Sequence, residues 1–271
     1  MVTWLRGHSR WLQSRGRSPL YARLMAEAAD DMEAGGVVAR LFDGIDVPAG
    51  SMPQLRLMAA LHELVLCGRD AELAEFFPSA GGDRGPDGVW PVAHLALERD
   101  FHWIRERLGR PVQTNEPGRA AVLLAVLVWL TARHGLPIRL LEIGASAGLN
   151  LGFDSYRYEI DGVVLGDPRS AVAFHEPWAP GPDLGTDLSR ISTTLKVSER
   201  AGCDPSPRDP GDPGDRLRLL SYIWPDELER FRRLEAALDI AAREPQPVAA
   251  GRAGDWLPGQ LVGARQGELT L

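Results

Sequence analysis

A carboxylate followed by small residues at alternate positions stands near the middle of the chain, in Glu142-Ile143-Gly144-Ala145-Ser146-Ala147-Gly148-Leu149-Asn150. The segment is entered from the apolar run Ile138-Arg139-Leu140-Leu141. An apolar run ending in an acid, then alternating small residues, then an apolar stretch, is the pattern of a strand, a tight turn and a helix N-terminus. Such a turn lets a ligand lie against bare backbone.

Several readings compete for these residues. The first is S-adenosylmethionine binding. Class I methyltransferases carry an acid and then small residues after their first strand, and Glu142-x-Gly144-x-Ser146-x-Gly148 matches that arrangement with Ser146 in place of the common middle glycine. The second is a serine hydrolase, because Gly144-Ala145-Ser146-Ala147-Gly148 satisfies Gly-x-Ser-x-Gly. That chemistry needs an acid and then a histidine later in the chain, and only His175 follows Ser146. The third is nicotinamide binding, which lacks its Gly-x-Gly-x-x-Gly fingerprint. A turn without any ligand is the plain structural reading. A Rossmann-type cofactor also calls for an acid about 20 residues on to hold ribose hydroxyls. Asp161 and Asp167 lie in range, and nothing in the sequence chooses between them.

The elements that must position this segment are mostly helical upstream. Apolar spacing predicts helices over 19–34, 53–66 and 91–108, with Ser18 and Ser51 as N-caps. Pro117 disfavours helix at Glu116, so a further helix begins near Pro117. From Ala120 to Leu130 it is apolar all round, which predicts burial on every side. Arg119, at the helix end that does not favour a cation, points to an acidic partner from protein or ligand. Downstream, Asp161-Gly162 between Tyr156–Ile160 and Val163–Leu165 predicts a hairpin. The proline-rich stretch 203–215 reads as a loop, and Trp224-Pro225-Asp226-Glu227 opens an amphipathic helix. Gly267–Leu271 reads as the start of a strand, so the chain is expected to be a truncated form of a longer protein.

The 271 residues allow one large or two smaller domains, with 44% hydrophobic and 25% charged residues as in soluble globular proteins. A net charge of −7 argues against a nucleic-acid backbone as the main partner. Two cysteines, Cys67 and Cys203, make no disulfide framework, and the six histidines show no metal-ligand spacing, so no metal is expected and a cytoplasmic location is. The N-terminus lacks the apolar core of a signal peptide. The apolar segment 120–132 is shorter than the roughly 20 residues needed to span a bilayer, so no membrane partner is expected.

Three stretches together carry a family resemblance: Gln113-Thr114-Asn115-Glu116-x-Gly118-Arg119, then 141–151, then Asp154-x-Tyr156-x-Tyr158. Ser18-Pro19-Leu20-Tyr21, Arg200-x-Gly202-x-Asp204-x-x-Pro207 and the Trp224-Pro225 helix add to it. By these the chain resembles the bacterial domain-of-unknown-function family 2332 over nearly its whole length. The resemblance implies a methyltransferase-like Rossmann core behind a helical N-terminal region, and no substrate. It also implies a further strand followed by His-Ser beyond this chain's end. Where the family shows Gly-Asp-Ala, this chain has Gly251-Arg252-Ala253, which would weaken an adenine-side contact.

The expectation is therefore an α/β protein with a helical region over 1–116 and a Rossmann-like domain over 117–271, incomplete at its C-terminus. It is expected to be an S-adenosylmethionine-dependent methyltransferase acting on a small-molecule or protein acceptor. The alternatives are a non-catalytic metabolite- or partner-binding protein on the same fold, and a hydrolase using Ser146. The cofactor set is Asn115, Glu116, Arg119, Glu142, Gly144, Ala145, Ser146, Gly148 and Asn150. In it Glu142 serves the amino end, the small residues cradle the cofactor by backbone, and Arg119 is available to its carboxylate.

Overall fold

The computed structural model describes residues 1–48, 50–178, 188, 190–191, 195–262 and 265–271. The chain divides into two compact units, Met1–Thr114 with Leu217–Arg232, and Asn115–Arg216 with Arg233–Leu271.

The first unit is helical among its described residues. It contains α1 Val2–Ser14, α2 Pro19–Glu33, α3 Val37–Phe42, α4 Pro53–Leu66, α5 Ala71–Ala74, α6 Val89–Arg99 and α7 Phe101–Leu108. Leu20, Leu24 and Ala28 on α2 meet Leu57, Leu61 and Leu64 on α4 within one apolar core, which also takes in Leu5, Leu12 and Phe76. Proline opens both α2 and α4, where its missing N–H costs nothing. The expected caps differ: Ser18 stands at the N-cap with φ 42° but makes no side-chain cap bond, and Met52, not Ser51, caps α4. The helix expected over 91–108 is broken at Asp100. Its carboxylate takes hydrogen bonds from Arg69 and Arg99 while its backbone leaves helical geometry.

The second unit carries α8 Arg119–His134 and two sheets. The larger is parallel throughout, in the order β6 (Val248–Ala250), β5 (Val197–Asp204), β1 (Ile138–Ile143), β7 (Leu269–Thr270). The smaller joins β3 (Val163–Gly166), β2 (Arg157–Ile160) and β4 (Ala173–His175). The predicted hairpin forms here: β2 and β3 pair antiparallel, and Asp161 and Gly162 take φ 49° and 75°, the two positive values of a tight I′ turn. α9 (Pro213–Ser221) begins inside the stretch read as a loop and ends in the first unit, α10 (Leu228–Arg243) begins in the first unit and ends in the second, and α11 (Ala253–Leu261) belongs to the second.

Two expectations fail in this unit. α8 is not buried on all sides: Ala121, Leu124, Val128 and Thr131 form its buried stripe, while Val122 is 69% and Trp129 45% exposed. An all-apolar helix still presents only one stripe when a single layer packs against it. No α-helix follows β1 either. The chain runs through turns to a one-turn 3-10 helix, Phe153–Ser155. Asn150, Gly152, Asp154 and Ser155 are poor helix formers that favour turns and caps. The hydroxyls of Tyr156 and Tyr158 also donate to the carbonyls of Leu149 and Phe153, tying the segment into a compact loop.

Candidate functional site

The carboxyl end of β1 is where the singled-out residues converge. β1 pairs with β5 so that Glu142 lies opposite Gly202 and Ile143 opposite Cys203. The turn then folds back over β5. Gly144 and Ala145 both donate their N–H to the Cys203 carbonyl, at 2.8 and 3.1 Å. A Cβ at Gly202 would stand 2.7 Å from the Ala145 Cβ and 3.0 Å from Leu151 Cδ1, so a glycine is what lets the turn lie this close. Gly144, Ser146 and Gly148 all have positive φ, 70°, 54° and 72°. Ser146 is the costly one, since a side chain there bears the left-handed strain that the common glycine avoids.

The turn's amide hydrogens are nearly all taken by the protein. Ser146 donates to Asp204 Oδ2 at 3.0 Å. Ala147 and Leu149 donate to Asn115 Oδ1 at 3.0 and 3.4 Å, and Gly148 to the Ala145 carbonyl at 2.8 Å. The Ser146 carbonyl accepts from the Arg208 N–H at 3.1 Å. The turn therefore keeps few free amide hydrogens. What the backbone offers is room: a Cβ on Gly144 would meet nothing within 4 Å. Gly148 faces the protein instead, and its Cβ would lie 3.0 Å from Gln246 Cβ.

Side chains carry the site's chemistry. Asn150 donates to Glu142 Oε1 at 3.2 Å. Glu142 Oε2, Asn150 Oδ1 and Ser146 Oγ are all buried and have no hydrogen-bond partner among the described residues. Leaving one such group unpaired costs about 1–3 kcal/mol, so three at one strand end is an expensive arrangement. Burial pushes the Glu142 carboxyl up to about 7; the Asn150 amide and the Arg119 cation oppose this, and the Asp204 carboxylate adds to it.

The remaining predicted residues have separate tasks. Asn115 is buried and props the turn from below. Glu116 caps locally, accepting the Gly118 N–H at 3.0 Å. Arg119 is exposed at the start of α8, and its cation favours the charged form of Glu142. Neither candidate ribose acid lies on a strand of the parallel sheet: Asp161 sits in the hairpin turn, and the Asp167 carboxylate accepts the Arg169 N–H. The acid at the strand end beside the turn is Asp204. It closes β5 and joins Ser146 to Ser206 through one carboxylate, with Oδ1 accepting the Ser206 N–H at 2.8 Å. Spacing from the turn does not point to it because a hairpin and a third strand intervene, although it belongs to the Arg200-x-Gly202-x-Asp204-x-x-Pro207 motif. His175 pairs with Glu159 on the smaller sheet, and Ser146 Oγ has no hydrogen-bond partner among the described residues, so Gly144–Gly148 is not a nucleophile elbow with His175 in place.

Among the described residues no group of His, Cys, Asp and Glu side chains is arranged to hold a metal, and no helix is long and apolar enough to cross a membrane. Neither the curated proteins nor the solved structures contain a significant match to the chain. The bacterial family described as "Uncharacterized protein conserved in bacteria (DUF2332)" matches residues 6–271. With nearly its full length matched, the chain belongs to that family.

Proposed function

We propose that the second unit is a Rossmann-like, methyltransferase-like fold that takes S-adenosylmethionine at the carboxyl end of β1, and that the protein is a methyltransferase. In chain order the four parallel strands β1, β5, β6 and β7 lie 3-2-1-4. That is the order of a doubly wound sheet reversing beside its first strand, where such sheets place their ligands.

The observation that carries the reading is the trio of buried, unpartnered polar atoms at that strand end. Two of them, Glu142 Oε2 and Asn150 Oδ1, are acceptors, which suit an ammonium group. Ser146 Oγ can serve either way. The open face of Gly144 admits a ligand against the backbone, Arg119 is available to a carboxylate, and Asp204 stands where ribose hydroxyls are held in doubly wound folds. The absence of a helix after the turn departs from the usual form. It shifts recognition from backbone donors to these side chains. The cofactor would supply an electrophilic methyl group, and alignment does much of the work in such a displacement. Ile143, 56% exposed beside Glu142, offers an apolar contact for a small-molecule or protein acceptor.

Calorimetric titration of S-adenosylmethionine and S-adenosylhomocysteine into the full chain tests the reading. Binding is expected, weakened at least tenfold in Glu142→Gln and in Gly144→Ala. No binding to the folded protein, or unchanged affinity in both variants, would refute it. Binding without methyl transfer, here and in a relative of the same family, would favour the non-catalytic binding protein on the same fold.

A further inference from the structure

A second group of reactive side chains lies wholly within the first unit. His62 on α4 is completely buried, its ring held between Phe77 and Phe231 at centroid distances of 5.5 and 6.0 Å. Its Nδ1 is 3.1 Å from the Ser221 carbonyl oxygen, and its Nε2 is 2.7 Å from Ser79 Oγ. A carbonyl oxygen can only accept, so Nδ1 carries the proton and Nε2 is left as the acceptor. The Ser79 hydroxyl therefore donates to Nε2. Ser79 sits in a one-turn 3-10 helix, Pro78–Ala80, and is only partly buried, whereas His62 is completely so.

We infer that Ser79 and His62 are a nucleophile and its base, oriented by the Ser221 carbonyl, and that they accept acyl groups from activated esters or thioesters. This site is independent of the one at β1 and of the function proposed for it. The arrangement has the three parts such chemistry needs: a hydroxyl in hydrogen-bond reach of a base, a base in the correct tautomer, and a third group that fixes it. In the step, Ser79 Oγ bonds to the acyl carbon while its proton passes to His62 Nε2. The bond to the leaving oxygen or sulfur then breaks, and that atom takes the proton back from Nε2. Water repeats the sequence to release the acid.

Burial pulls the His62 imidazole down to about 4. It is therefore neutral at every pH where the fold is expected to work, and once protonated it is a strong acid toward the leaving group. A weak base of this kind suits activated acyl donors rather than amides.

The test is labelling of the folded 271-residue chain with a fluorophosphonate probe, in which Ser79 Oγ displaces fluoride from phosphorus, followed by peptide mass mapping. One adduct on Ser79 is expected, absent in Ser79→Ala and slowed about 100-fold or more in His62→Gln. The labelling rate of the unmodified chain should stay flat down to about pH 5, because its base titrates near 4. That profile stands as the second measurement if His62→Gln does not fold. No adduct in folded protein, an adduct on Ser146 with Ser79 untouched, an unchanged rate in His62→Gln, or an acid limb near the ordinary histidine pKa would each overturn the inference.

Discussion

Replacing Asn115 by alanine should loosen the glycine-rich turn more than any other single side-chain deletion near it. Asn115 is 4% exposed, and its Oδ1 accepts two amide hydrogens, from Ala147 at 3.0 Å and Leu149 at 3.4 Å. The alanine variant strands two buried donors. Each costs about 1–3 kcal/mol, and the second counts for less because its bond is long, so the expected loss is about 2–4 kcal/mol. With a urea m-value of about 2 kcal/mol per molar, the unfolding midpoint of the second unit should fall by about 1–2 M. Hydrogen exchange should localise the effect, with the Ala147 and Leu149 amides losing protection before the β1 and β5 ladders do. Asn115→Asp keeps the accepting oxygen and should recover at least half of the loss. A midpoint shift below about 0.3 M in Asn115→Ala, together with unchanged exchange at both amides, would refute the assignment of Asn115 as the prop of the turn.

The same geometry sets other outcomes. The Glu142 carboxyl titrates near 7 in the fold against an ordinary 4.5, so the fold holds its proton more tightly than the unfolded chain. The stability this contributes is complete below pH 4.5 and is lost as pH rises through 7. Discounted for partial exposure, stabilities from urea unfolding at pH 5 and pH 8 should differ by about 2 kcal/mol more in the native chain than in Glu142→Gln. His62 has the opposite sign: folded near 4 against an ordinary 6.5, its contribution is present above 6.5 and is lost as pH falls through 4. Acid titration by circular dichroism should therefore show the first unit losing its helices at a lower pH in His62→Gln than in the native chain. Gly202→Ala drives a Cβ to 2.7 Å from the Ala145 Cβ, a clash borne by a short side chain. It should cost about 1–3 kcal/mol in chemical denaturation, and a neutral result would mean that the turn does not rest on β5 as described. Gly148→Val should unfold or aggregate, because its Cβ would press on Gln246 and Val248. This separates it from Gly144, whose substitution meets open space.

The features legible from residue order alone were local. Leu20, Leu24 and Ala28 at helical spacing behind Ser18-Pro19 mark α2, and α4 is marked the same way, because a helix repeats its buried face within a few residues. The Asp161-Gly162 hairpin is local for the same reason: two adjacent residues must take positive φ, and those residue types accept it. The acid and glycines after β1 were equally plain, as was membership of a family spread over the whole chain. The path of the chain beyond the turn was hidden, since apolar residues at 149, 151 and 153 suit a helix or a folded loop. The choice falls to the Tyr156 and Tyr158 hydroxyls and to Asn115, 32 positions from Ala147.

Tertiary structure alone decided the rest. It exposed one face of α8, which is apolar on every face and so gives no sign of which side is packed. It set Asp204 at the strand end beside the turn, because parallel pairing brings β5 next to β1 across a long insertion that no fixed spacing can bridge. It placed His62 between the Ser79 hydroxyl and the Ser221 carbonyl, three residues without a shared motif. It also left the hydroxyl of Ser146, the residue with the motif, without a hydrogen-bond partner among the described residues. Sequence pattern records what each segment prefers within its own few turns. Which side chains end up buried without partners depends on how distant strands and helices close around them.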